Sequence, residues 1–126
     1  MNRIIIADDS ATARMFTKRC VEVLGFKGTD CVEVEDGAQA LEELRKEPAD
    51  ILITDLTMPV MDGTTLVKEI FGSGEFPNMR IIVVTSAGNP AKEEELGKYG
   101  AQIISKPISP AKLAAVLSAQ QEEGWG

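Results

Sequence analysis

The sequence predicts a doubly wound α/β fold, in which helices cover both faces of a five-stranded parallel sheet. Five short apolar runs, mostly rich in Ile and Val, alternate with segments of helical period. Four of the five runs lack a clean alternation of apolar and polar residues, which is typical of strands buried on both faces. The chain has 126 residues and is 44% hydrophobic, which suits one packed domain. We therefore expect a single domain over residues 1–126.

The five apolar runs are the predicted strands. They are Arg3–Ala7, Cys31–Val34, Ile51–Thr54, Arg80–Thr85 and Gln102–Ser105. Asp30 precedes the second run and Glu33 lies within it. Because these charges suit a partly solvated strand, the second strand is predicted at or near an edge of the sheet.

Five helices are predicted from apolar residues that recur on one helical face. These residues are Ala13, Phe16, Cys20 and Leu24 in the first helix, Ala38, Leu41 and Leu44 in the second, Leu66, Val67 and Ile70 in the third, Leu96 in the fourth, and Leu113, Val116 and Leu117 in the fifth. The third helix is predicted to end before Gly72. The fifth is predicted to begin with Ser109 as its N-cap and Pro110 at the first helical position.

Composition excludes several functions. Lys plus Arg is 13 and Asp plus Glu is 20, so the net charge is −7, which argues against a nucleic-acid or anionic-membrane surface. The chain has no His, hence no catalytic His relay and no His-ligated zinc. Cys20 and Cys31 lie too far apart for a zinc cluster or a redox pair. With no apolar run near the roughly 20 residues of a spanning helix and no signal-peptide pattern, we expect a cytoplasmic protein.

Polar side chains follow four of the predicted strands. Asp8 and Asp9 come after the first strand, Asp55 after the third, Thr85 ends the fourth, and Lys106 follows the fifth. The carboxyl ends of parallel strands meet at one edge of the sheet, where such folds bind their ligands. Three carboxylates within about 5 Å would repel one another by a few kcal/mol, so stability alone does not explain the group.

A divalent cation would remove this repulsion. Oxygen donors without His or Cys suit Mg²⁺, for which Mn²⁺ can substitute. Lys106 and the Thr85 hydroxyl are placed to complete the binding of an anionic ligand. A metal, an ammonium and a hydroxyl around one carboxylate are typical of phosphoryl transfer, with Asp55 as the nucleophile that forms an acyl phosphate.

Four motifs together resemble a known family. RIIIADDS, ILITDLTMPVMDG, RIIVVTSAG and AQIISKP, in this order and spacing, are similar to the receiver domains of bacterial two-component response regulators. The resemblance covers about residues 2–120. It is greatest to the chemotaxis CheY type, and we expect a stand-alone receiver without an output domain. It implies a flavodoxin-like sheet with the strand order 2-1-3-4-5.

The resemblance also implies a metal site and a phosphoacceptor. Asp55 is expected to accept the phosphoryl group. Asp8 and Asp9 are expected to bind Mg²⁺, together with Asp55 and the backbone carbonyl of Thr57.

Further roles follow from the same resemblance. Lys106 is expected to hold one phosphoryl oxygen, and Thr85 to move in and hold another. Ile103 occupies the switch position, where many receivers have an aromatic residue, so the usual coupling between Thr85 and an aromatic ring is not expected. Thr57 and Ala87 occupy the positions that tune hydrolysis, and their small neutral side chains predict a phosphoryl lifetime of middling length.

The implied partners are proteins. A histidine kinase is expected as phosphodonor, and a downstream target is expected on the face of the fourth helix, fifth strand and fifth helix. A flagellar switch protein is a candidate target, and a phosphatase is a further candidate partner. We expect the protein to bind neither nucleic acid nor a membrane. It is not expected to be an enzyme, beyond catalysing its own phosphorylation and dephosphorylation.

Three other interpretations of these residues are distinguished by their chemistry. A degenerate or phosphate-sink receiver would act as an interaction module and stays open. A small phosphatase with an aspartate nucleophile is disfavoured, because Thr57 stands where such enzymes carry a general acid. A flavodoxin is disfavoured because Asp8 and Asp9 would repel the flavin phosphate.

Overall fold

A computed structural model of the protein describes residues 3–26, 29–86 and 89–123, the last five of these by their backbone alone. Strands and helices alternate along these ranges. The strands are β1 (Arg3–Ala7), β2 (Asp30–Val34), β3 (Ile51–Asp55), β4 (Arg80–Thr85) and β5 (Ala101–Ser105). The helices are α1 (Ala11–Val23), α2 (Gly37–Lys46), α3 (Gly63–Ser73), α4 (Pro90–Lys98) and α5 (Pro110–Glu123).

The strands form one parallel sheet in the order β2-β1-β3-β4-β5. This confirms the predicted fold class, the strand order and the position of β2 at an edge. In the register of the sheet, Ala7 lies opposite Thr54, and Thr85 lies opposite Ser105. The carboxyl ends of β1, β3, β4 and β5 therefore lie at one edge of the sheet. Asp8, Asp55, Thr85 and Lys106 are at or next to these ends.

Two apolar layers lie on the two faces of the sheet because successive strand residues point to opposite faces. One layer joins Ile5 and Leu52 to the inner faces of α2, α3 and α4. The other joins Ile4 and Ile53 to Cys20 of α1 and to α5. This confirms the predicted helices on both faces, and it directs Asp55, two residues after Ile53, toward the α1 side of the sheet.

Short polar side chains begin the helices by accepting a hydrogen bond from a backbone N–H of the first turn. They are Ser10, Asp36, Asp62, Asn89 and the predicted cap Ser109. The prediction that α3 ends before Gly72 is wrong. The helix continues to Ser73 and ends at Gly74, because Gly74 is the residue that adopts the left-handed conformation, with φ of 65°. None of the helices in the described ranges is long and apolar enough to cross a lipid bilayer.

The prediction that Phe16 faces the core is also wrong. Helix α1 buries Thr17, Cys20 and Val21, whereas Phe16 is 50% exposed. The buried face of α1 is shifted by about one residue from the predicted face, because the small Thr17 side chain, and not the Phe16 ring, packs against the sheet. Phe16 instead lies at the rim of the site described below.

A buried arginine ties the start of β1 to the end of α2. The guanidinium of Arg3 donates hydrogen bonds to the backbone carbonyls of Glu43 and Glu47. It also pairs with the Glu43 carboxylate at 2.9 Å. A cation at a helix carboxyl end interacts favourably with the helix dipole. Arg3 therefore anchors α2 against the sheet at the edge opposite the candidate site.

The substitution Arg3→Met is expected to lower the free energy of unfolding by about 2 kcal/mol, because two partly buried carbonyls and the Glu43 carboxylate lose a charged donor. Urea unfolding measures this loss. Arg45→Met is the matched control, since Arg45 pairs with Glu75 on the surface and should cost about 0.5 kcal/mol or less. Equal losses for the two variants would contradict the assigned role of Arg3.

Candidate functional site

Three carboxylates lie together at the carboxyl edge of the sheet. One oxygen from each of Asp8, Asp9 and Asp55 lies within 4.8 Å of the others. Asp55 is the last residue of β3 and is only 8% exposed, Asp8 is half-buried, and Asp9 is exposed. The hydrogen bond from the Asp8 N–H to the Val34 carbonyl, at 3.1 Å, continues the pairing of β1 with β2 and fixes where the acidic pair begins. The cluster is therefore a direct consequence of the strand order.

An ammonium group faces the buried carboxylate. Lys106 Nζ lies 2.9 Å from Asp55 Oδ1. The backbone N–H of Leu56 donates to the same oxygen at 2.8 Å. Two donors on one oxygen fix the orientation of the Asp55 carboxylate, and the lysine offsets part of the charge of the cluster.

The chemistry of the cluster fits a divalent cation. Burial raises the pKa of Asp8, and the carboxylates of Asp55 and Asp9 add to the rise, while the Ser10 N–H and Lys106 act in the opposite direction. The three carboxylates thus carry more negative charge than the nearby donors neutralise. Hard oxygen donors at this spacing suit Mg²⁺, which commonly uses one or two carboxylates and retains waters.

The loop after β3 brings Thr57 to the same edge. Gly63, the first residue of α3, donates its N–H to the Leu56 carbonyl at 2.8 Å. A Cβ at Gly63 would collide with the Asp55 carbonyl oxygen, so only glycine permits this close approach. Met58 is buried beneath the loop, and Thr57 remains exposed. Thr57 lies two residues after Asp55 within this loop, whose tight return is fixed at Gly63.

Asp62 holds the far end of this loop. Its carboxylate accepts the Thr65 N–H at 2.8 Å and so caps α3. This hydrogen bond lowers the pKa of Asp62 below its ordinary value of 3.8. On the other flank, Gly37 donates its N–H to the Met61 carbonyl at 2.9 Å, which fastens the loop to α2.

Thr85, Ile103 and Ala87 are the remaining predicted residues. Thr85 ends β4, and among the described residues its hydroxyl donates to the Ser86 carbonyl, at 3.4 Å, and not to the carboxylate of Asp55. Ile103 lies half-buried in β5, opposite Val83, and packs against the core layer of α2, α3 and α4. Ala87 falls outside the described residues.

A cavity that the sequence did not predict adjoins the Asp55 carboxylate. It has a volume of about 240 Å³ and lies between α1 and the ends of the strands. Phe16, Val84 and Ile108 are among the apolar residues of its wall, and Lys106 is at its rim. An apolar wall lowers the local dielectric constant, which strengthens the interaction between Lys106 and Asp55.

Two further cations act on backbone carbonyls of the site loops, and sequence reasoning missed both. Arg14 of α1 donates to the Asp8 carbonyl at 2.6 Å and to the Glu33 carboxylate at 3.3 Å. Lys112 of α5 donates to the carbonyls on either side of Lys106. The sequence carries one indication of Lys112, since a lysine in the first helical turn stands where acidic residues are favoured.

Comparison with known proteins assigns the chain to a family. The response regulator receiver domain family matches residues 4–118. The chemotaxis protein CheY of Thermotoga maritima is 34% identical over 117 residues, which make up 92% of this chain and 94% of that protein. A CheY homolog of Campylobacter jejuni is 36% identical over an alignment of 128 positions, which covers 97% of each chain.

Solved structures agree with the sequence relatives. The chemotaxis response regulator CheY4 of Vibrio cholerae superimposes with a TM-score of 0.80 at 28% identity, covering 94% of this chain and 98% of that chain. The non-phosphorylated receiver domain of the stress response regulator RcsB from Escherichia coli gives a TM-score of 0.79 at 32% identity, covering 97% and 94%.

The doubly wound sheet with its acidic edge is that of a signalling domain of two-component systems and not of a classical enzyme. The chain belongs to the response regulator receiver domain family, and its similarity to curated relatives identifies it as a receiver of the CheY type.

The substitution Asp8→Asn is expected to stabilise the metal-free protein by on the order of 1 kcal/mol at neutral pH, because it removes a half-buried charge that is also repelled by two neighbouring carboxylates. The sign follows from the raised pKa of Asp8: its ionised form is disfavoured in the folded state, so its charge costs stability at neutral pH. Urea unfolding in the presence of a chelator measures the gain. The exposed α4 variant Glu94→Gln should change little, and destabilisation by Asp8→Asn would contradict the repulsion.

The substitution Asp62→Ala is expected to cost about 1 kcal/mol at neutral pH through the lost helix cap. The lowered pKa makes this contribution present above the ordinary value of 3.8 and lost as the pH falls through the folded-state value. The difference in the free energy of unfolding between wild type and Asp62→Ala should therefore be smaller at about pH 3 than at neutral pH, as measured by urea unfolding. Asp62→Asn keeps a capping oxygen and is the control. A gap of equal size at both pH values would contradict the assignment.

Proposed function

We propose that this protein is a phosphoacceptor response regulator that takes a phosphoryl group from a histidine kinase onto Asp55. One observation carries the proposal: the buried Asp55 carboxylate pairs with Lys106 at 2.9 Å and lies within 4.8 Å of two further carboxylates. An ion pair kept for stability would not require Asp8 and Asp9 beside it. A phosphoryl group arriving at Asp55 requires both the lysine and a cation site.

In the proposed reaction a carboxylate oxygen of Asp55 attacks the phosphorus of phosphohistidine in line. The bond between phosphorus and that oxygen forms as the bond between phosphorus and the imidazole nitrogen breaks. The Leu56 N–H and Lys106 orient the carboxylate before the attack. Lys106 then exchanges its contact with the carboxylate for a phosphoryl oxygen and neutralises part of its charge.

The proposed Mg²⁺ ligands are the carboxylates of Asp8, Asp9 and Asp55 and the backbone carbonyl of Thr57. When bound, the ion supplies positive charge that neutralises the transferring group, and Mn²⁺ would serve in its place. Thr57 and Ala87 are also proposed to influence the rate of dephosphorylation. Since neither side chain can orient or strongly exclude water, we expect self-hydrolysis of intermediate rate.

Signal output is proposed to start at Thr85. Its hydroxyl would leave the Ser86 carbonyl, to which it is bonded at 3.4 Å, and bind a phosphoryl oxygen. That movement would pull the end of β4 and bias the packing of α4 against β5. Ile103 has no polar tip to report the change, so the movement of α4 and not a rotating aromatic ring would alter the face of α4, β5 and α5.

Ion pairs and one buried side chain hold α4 in place, and phosphorylation is proposed to shift its position. Glu95 pairs with Lys92 at 3.0 Å and with Lys68 of α3 at 3.2 Å. Leu96 is fully buried and anchors the helix. The downstream target is proposed to bind this face. Because several relatives are chemotaxis proteins, we propose a role in chemotaxis, with a flagellar switch protein as the target to test first.

Incubation with acetyl phosphate and Mg²⁺ is expected to add one phosphoryl group per chain, as measured by intact mass. Asp55→Asn should abolish the gain because it removes the nucleophile. Asp30→Asn is the matched control, since Asp30 lies at the amino end of β2 and should not affect labelling. A chelator should suppress labelling of wild type.

Equal labelling of wild type and Asp55→Asn would contradict the assigned phosphoacceptor. Absence of labelling in wild type would instead favour the degenerate receiver that acts only as an interaction module. Hydrolysis of unrelated phosphate esters would favour the phosphatase interpretation.

A further inference from the structure

Lys112 bonds to the backbone on both sides of Lys106. Its Nζ donates to the carbonyl oxygen of Ser105 at 3.0 Å and to that of Pro107 at 2.9 Å. Ser105 is the last residue of β5, and Pro107 is the second residue of the connection to α5. One ammonium group therefore bridges the two peptide carbonyls that flank the lysine of the site.

The main chain of Lys106 is held from the opposite direction by β4. Its N–H donates to the Thr85 carbonyl at 2.8 Å. Beyond this support, the Lys106 side chain is 43% exposed, and its ammonium is held by Asp55. A long, half-exposed lysine has many accessible rotamers, and fixing the backbone from which it projects reduces the number that lead away from Asp55.

Stability alone does not account for a lysine at this position. The N–H of Lys112 donates to the Ser109 hydroxyl at 3.1 Å, so Lys112 is the third residue of α5. The positive end of the helix dipole disfavours a cation there and favours an acidic residue. The two carbonyls offset that disadvantage only because the loop around Lys106 is folded against the first turn of α5.

We propose that Lys112 is a positioning residue that holds the loop of Lys106 so that the ammonium of Lys106 faces Asp55. This inference rests on the proposed phosphoryl transfer to Asp55. Lys112 itself does not touch the phosphoryl group. Its loss frees the carbonyls of Ser105 and Pro107 and widens the range of positions that the Lys106 ammonium samples.

The test compares the rate of phosphorylation by acetyl phosphate, the Mg²⁺ concentration at half-maximal rate, and the melting temperature. Lys112→Met keeps most of the side-chain length and removes the donor. It is expected to slow phosphorylation by about five-fold and to leave the Mg²⁺ midpoint and the melting temperature near those of wild type. Lys112→Arg keeps donors for both carbonyls and should restore most of the rate. Lys98→Met, which removes an exposed lysine of α4, should leave the rate unchanged.

Three results would overturn the proposal. Lys112→Met could label within two-fold of the wild-type rate, or Lys112→Arg could be as slow as Lys112→Met. Alternatively, Lys98→Met could slow the reaction as much as Lys112→Met, which would show an effect of net charge. In each case wild type still labels and the proposed function stands. If wild type takes up no phosphoryl group, both the proposed function and the proposed role of Lys112 are contradicted.

Discussion

Mutual repulsion among three carboxylates is the constraint on which the site depends. The strand order brings Asp8, Asp9 and Asp55 within 4.8 Å of one another, and burial of Asp55 reduces the screening that water would give. Lys106 offsets part of this charge, and the remaining negative charge is the basis of the magnesium site proposed above. The same arrangement supports the proposed reaction, in which an anionic phosphoryl group arrives together with a metal ion.

Cations that bind backbone carbonyls recur around this edge. Arg14 holds the carbonyl of Asp8, and Lys112 holds the carbonyls on both sides of Lys106. Each of these side chains comes from the first turns of a helix that follows the loop it supports. The acidic pair and the lysine of the site are thus fixed by the helices next in sequence, while Gly63 fixes the loop after Asp55 by its close approach to the Asp55 carbonyl.

Periodicity predicts the strands, the helices and the gathering of polar residues at one edge, because each depends on local pattern and on the geometry of parallel strands. The order of the strands in the sheet is predicted only by the resemblance to receiver domains. The rotation of α1 was not predictable, since Phe16 and Thr17 are neighbours and only packing decides which of them faces the sheet. The end of α3 was misplaced for a similar reason: two glycines compete, and the left-handed conformation falls at Gly74. The bonds of Lys112 depend on how a loop folds against a helix, which periodicity does not describe.

Calorimetric titration with Mg²⁺ tests the central claim most directly. We expect one ion bound per chain in wild type and a loss of that binding in Asp9→Asn, whose exposed side chain can be changed with little effect on the fold. Binding of no ion by the folded wild-type protein, or equal binding by wild type and Asp9→Asn, would contradict it.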